Sequence, residues 1–127
     1  MSEDTPATRF ATLTDWVTQW FLPTWQHRLG PAQVWCTQWW QHAEAISRLE
    51  AMWRSWEASR LDGAMGLALW WRDIADYQMQ QLLDSHGPFA ACRNSHTDDD
   101  TLFLRADPPP AGWFDAYTEP ATTTAWQ

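Results

Sequence analysis

Trp35, Trp39, His42, Ile46, Leu49, Trp53 and Trp56 recur at spacings of 4, 3, 4, 3, 4 and 3. A seam of that period reads as one face of a long helix, running from Pro31 to about Leu61. Gln41, Glu44, Ser47, Arg48 and Arg54 stand on its opposite face, and Glu44–Arg48 and Glu50–Arg54 are i,i+4 pairs with the acid first. Twelve Trp in 127 residues supply this seam and much else. Each can bury about 150–250 Å², so a small domain can be held together largely by indoles.

The flanking punctuation predicts two more helices. Thr12 with Asp15 three residues on marks an N-cap, and Leu13, Trp16, Val17, Trp20 and Phe21 follow helical spacing. Pro23 interrupts or kinks this element, and a last turn through Trp25 and Leu29 ends at Gly30. Gly30-Pro31 separates it from the long helix. Asp62-Gly63 breaks the chain before a third helix from about Ala64 to Asp84. Leu67, Trp71, Ala75, Met79 and Leu82 line that helix, Trp70, Ile74 and Leu83 flank the line, and Gly87-Pro88 stops it. So short a break makes the second and third helices antiparallel neighbours. The expectation is an all-α fold: three main helices, a Trp-rich antiparallel hairpin, and an extended, partly irregular C-terminal tail. The tail holds a strand-like run at 101–105 and a Pro108–Pro110 run, and Trp113 or Phe114 is expected to pin it back onto the helices. Residues 1–115 form one domain and 116–127 a flexible tail.

Charge and composition narrow the chemistry by exclusion. Eight Arg stand against sixteen Asp and Glu, and there is no Lys. Lysine-dependent phosphate loops and Schiff bases are thereby excluded. The negative balance and scattered Arg argue against direct nucleic-acid binding. From the acidic start at Met1-Ser2-Glu3-Asp4 no signal peptide is expected, and the longest apolar stretch, Ala64 to Trp71, is far short of the ~20 residues a membrane span needs. A cytoplasmic protein with no membrane association is expected, with Cys36 and Cys92 reduced.

Several residue sets invite chemistry. Cys36, His42, Cys92 and His96 suggest a zinc site. On one continuous helix, however, Cys36 and His42 would lie about 9 Å apart along the axis and on different sides. No metal or cofactor is therefore expected; any metal would be held by His86, Cys92 and His96. His42, on the apolar seam, reads as a core histidine paired with Asp73 or Asp76, or else as half of an acid–base pair. No nucleophile elbow, glycine-rich phosphate loop or HExxH motif occurs, so no catalysis is expected. Trp40 points away from the seam. Either the first helix or the tail covers it, or with Glu44 and Arg48 it forms an exposed patch for a protein partner.

Three blocks carry a resemblance. They are Trp35-Cys36-x2-Trp39-Trp40-x-His42-x-Glu44-Ala45, then Trp70-Trp71-Arg72-Asp73-x2-Asp76, then Gly87-Pro88-Phe89-x2-Cys92. In order over roughly residues 10–114, they resemble an uncharacterised actinobacterial family, a domain of unknown function. Ile74 departs from that family's pattern, which often has His there. The resemblance implies a setting on conjugative plasmids, integrative elements and phages, sometimes near type IV secretion coupling-protein genes, and no activity. The function expected is that of a non-catalytic protein-binding adaptor of a mobile element. The alternatives are an acidic DNA mimic that inhibits a nuclease, restriction or CRISPR protein, and a small metal-binding protein.

Overall fold

The computed structural model describes residues 7–93, 95–98 and 104–117. Helix α1 is one rod of three consecutive parts: an α-turn over Leu13–Trp16, a π-turn over Val17–Phe21 and an α-turn over Leu22–Thr24. Its start is as expected, with the Thr12 side chain accepting from the Asp15 backbone N–H at 3.1 Å. Pro23 does not break the rod. It lies in the last turn, just past the π-turn, where the Leu22 N–H reaches back five residues to Val17. The rod ends at Thr24, so the turn expected through Leu29 does not form.

Helix α2 covers Ala43–Ser59, preceded by a 3-10 turn at Trp39–Gln41. The continuous helix expected from Pro31 is thereby corrected. Residues 31–38 are irregular, and the Val34 backbone N–H donates to the Leu83 carbonyl at 2.9 Å, within an isolated antiparallel bridge between Gln33 and Asp84. A non-local backbone bond replaces the helical ones, in a stretch whose Val34, Trp35, Cys36 and Thr37 are weak helix formers. The buried face of α2 is also turned from the expected seam. It presents Ala45, Leu49, Met52, Trp56 and Glu57, while Ile46 is exposed and Trp53 half-buried.

Helix α3 again has three consecutive parts: α over Gly66–Trp70, π over Trp71–Ala75 and α over Asp76–Leu83. It runs antiparallel to α2. The Trp70 indole donates to the Met52 carbonyl at 3.1 Å near one end, and Arg48 donates to Gln78 at 2.8 Å nearer the other. The two π-turns bring consecutive aromatic residues of α1 and α3 to one place. The Trp20 and Trp71 ring centres are 6.1 Å apart, Phe21 and Trp71 6.2 Å, and Phe21 and Trp70 6.4 Å. A π-turn adds one residue to the helical circuit, which lets neighbours such as Trp70 and Trp71 share one side. Trp16 and Trp56 complete this aromatic core.

The fold is all-α, with no strand among the described residues. Phe89 and Cys92, beyond α3, are buried in the same core. Trp113 and Phe114, expected to pin the tail onto the helices, are each more than half exposed and lie outside the buried core; a 3-10 turn follows at Asp115–Tyr117. Asp99, Asp100, most of the strand-like run and residues 118–127 lie outside the described residues. No described helix is long and apolar enough to cross a membrane.

Candidate metal centre and neighbouring aromatic surface

The late start of α2, at Ala43, changes what Cys36 and His42 can do. Cys36 lies in the irregular stretch, and His42 takes an extended conformation (φ −114°, ψ 114°) as the residue capping α2. Cys36 and His42 therefore do not share one straight helix, and the expected separation along its axis does not hold. After α3, the chain turns at Gly87–Phe89, with the Cys92 N–H donating to the Phe89 carbonyl at 2.9 Å. This carries Cys92 and His96 back onto the 36–42 stretch.

The ligand-type atoms of Cys36, His42, Cys92 and His96 all lie within 4.8 Å of one another. Cys36 Sγ is 3.3 Å from His96 Nδ1, and Cys92 Sγ is 3.6 Å from His42 Nε2 and 3.8 Å from His96 Nδ1. Both cysteines are buried and both thiols are free. The Phe89 ring stands edge-on to His42, with centres 5.0 Å apart, and walls the cluster on the core side.

The polar surroundings orient these groups. His96 Nε2 lies 2.8 Å from the Asp98 carboxylate, which places a proton on Nε2 and turns the Nδ1 lone pair to the sulfurs. The Thr97 backbone N–H donates to Cys92 Sγ at 3.4 Å, and the Gln38 backbone amide faces Cys36 Sγ. Burial pushes the Cys36 thiol above its ordinary range, and the Gln38 contact offsets only part of that. Burial, with the His96 ring beside it, lowers His42 and favours its neutral, lone-pair-bearing form.

The other expected sets fare differently. His42 faces a sulfur and two rings, not a carboxylate of α3: Asp73 pairs with Arg72 at 2.8 Å and Asp76 is exposed. The cluster of His42 with Asp73 and Asp76 therefore does not assemble. His86 is almost fully exposed, 3.6 Å from Asp84, and stands outside the Cys/His group. The partnership of Asp98 with His96 was not foreseen from the sequence, although its place two residues on is a local signal for it.

Trp40 lies on the 3-10 turn, not on α2, and is 56% exposed, whereas the adjacent Trp39 is 5% exposed. Glu44 and Arg48, on the first turns of α2, form an ion pair at 2.8 Å. The turn that shows Trp40 to solvent thus ends at His42, so the aromatic surface and the Cys/His group share one short stretch of backbone. A separate open hollow of about 250 Å³, lined chiefly by Leu22, Trp25, Leu29, Trp35, Met79 and Leu83, lies between α1 and α3, with His27 stacked on Trp25 at its rim.

Comparison with curated proteins and with solved structures yields no match. A family model does match, over residues 10–111, which takes in all three helices and all four Cys and His positions. The chain belongs to the DUF4913 family, a domain of unknown function.

Proposed function

We propose that this chain is a non-catalytic protein-binding module, an adaptor that offers Trp40, Glu44 and Arg48 to a protein partner. The observation that carries the reading is the contrast between the two adjacent indoles, Trp39 buried and Trp40 more than half exposed. A large rigid aromatic side chain held in solvent on a short turn is the kind of group that dominates binding energy when a partner covers it. The neighbouring Glu44–Arg48 pair adds charges of both signs, which set orientation and specificity more than affinity. The cytoplasm and a mobile element of an actinobacterium are the setting proposed with it, on the resemblance of the sequence blocks, and direct nucleic-acid binding is not part of it.

The alternative of an acidic DNA mimic draws less support. Mimicry needs carboxylates free to imitate phosphates, and Glu44, Glu50, Glu57 and Asp73 are each paired with an arginine. The test compares capture of partner proteins from host extract by the wild-type chain, Trp40→Ala and Trp39→Ala. Trp40→Ala is expected to lose capture by tenfold or more, about 1.4 kcal/mol or above, with an unchanged melt. Trp39→Ala is expected to lower the melting temperature. Equal capture by wild type and Trp40→Ala would sink the reading.

A further inference from the structure

We propose that Cys36, His42, Cys92 and His96 bind one zinc ion in a closed, structural site. The inference is independent of what Trp40 binds. Four side chains from two segments, 36–42 and 92–96, converge with two sulfurs and two imidazole nitrogens. A tetrahedral zinc with Zn–S near 2.3 Å and Zn–N near 2.0–2.1 Å separates its S and N ligands by about 3.6 Å. Three of the four sulfur–nitrogen distances, 3.3, 3.6 and 3.8 Å, bracket that value, and all four ligand-type atoms lie within 4.8 Å of one another.

The donor set selects the ion. Two thiolates and two imidazoles suit zinc, whereas magnesium and calcium prefer oxygen ligands. On binding, each thiol gives its proton to solvent, and the two thiolates cancel the charge of the ion. That neutrality suits a group whose two cysteines are buried. The surroundings are also those of a metal site. Asp98 on the far nitrogen of His96 matches the carboxylate–histidine arrangement that orients zinc-binding imidazoles, and backbone amides of Gln38 and Thr97 face the two sulfurs. Four protein ligands leave no position for a substrate, so the ion's work is to hold the segment after α3 against the turn before α2.

The test uses the full chain, purified under reducing conditions without added metal. Elemental analysis is expected to find about one zinc per chain. Cys36→Ser and Cys92→Ser should each lose it, and His86→Ala should keep it. Because the serine variants can fail to fold, cobalt(II) is also added to the wild-type chain after chelation. It should give the visible bands of a tetrahedral ion together with thiolate-to-cobalt charge transfer, both removed by equimolar zinc. Either the bound zinc or that cobalt spectrum supports the site. Absence of both, or a metal signal that survives in Cys36→Ser, overturns it.

Discussion

Glu57 is a carboxylate in a core of indoles. It is 8% exposed and accepts hydrogen bonds from the backbone of Arg9 and Phe10, the Trp53 indole and Arg60, at 2.8 to 3.0 Å. Burial alone would raise its pKa; the four donors outweigh burial and hold it below the ordinary 4.5. A depressed carboxyl stabilises the fold at pH above the unfolded-state value, and that contribution fades as pH falls through 4.5 toward the lower folded-state value. Glu57→Gln is therefore expected to cost about 1–3 kcal/mol at neutral pH and to flatten the loss of stability between about pH 5 and 3. Urea melts of both chains across that range check it; parallel pH curves would show that Glu57 is not the group responsible. The same carboxylate also ties the residues before α1 to α2, a link between positions 47 and 48 apart in sequence. Among the described residues, the buried indole N–H groups of Trp16 and Trp56 have no such acceptor.

At the scale of elements, the hairpin turn between α2 and α3 depends on two glycines for different reasons. Gly63 has a φ of 69°, a left-handed conformation that a side chain disfavours, with open space where a Cβ would stand. Gly66 starts α3 against the end of α2, and a Cβ there would come within 2.0 Å of the Ser59 carbonyl oxygen. The first cost is conformational and the second is steric. Gly63→Ala should cost about 1 kcal/mol. Gly66→Ala should cost more, about 2–4 kcal/mol, because backbone must move and the Trp70–Met52 bond lies one turn away. Thermal melts of the two variants should fall in that order, and the reverse order would show that the turn relaxes freely at Gly66.

At the scale of the whole molecule, the aromatic core and the Cys/His group hold different parts. Trp16, Phe21, Trp56 and Trp70 join the three helices through apolar contact. Zinc, as proposed, holds the segment after α3. Chelation is therefore expected to leave most of the helical circular dichroism intact and to open residues 85–98 to limited proteolysis. An ion held at a hundred times its dissociation constant adds about 2.7 kcal/mol, so the melting temperature should fall by about 10 °C; unchanged proteolysis on chelation would show that the segment is held by Phe89 alone. The division between what was legible in the sequence and what was not follows the reach of the interactions. The Thr12 cap, the Asp62-Gly63 break and the Glu44–Arg48 and Glu50–Arg54 pairs all act within a few residues, and the sequence by itself determined them; the shortness of that break in turn implied the antiparallel hairpin. For Trp40 the sequence left cover and exposure open, and its exposure rests on a 3-10 turn that the helical spacing did not predict. The non-helical course of the chain at Val34 goes with a backbone bond to Leu83, which local periodicity cannot register because Trp35 and Trp39 keep helical spacing without lying on an α-helix. The meeting of Cys36 and His42 with Cys92 and His96, and the burial of Glu57 by residues from before α1, join positions some fifty residues apart. Only the tertiary structure brings such groups within bonding distance, because no interaction along the chain reaches that far.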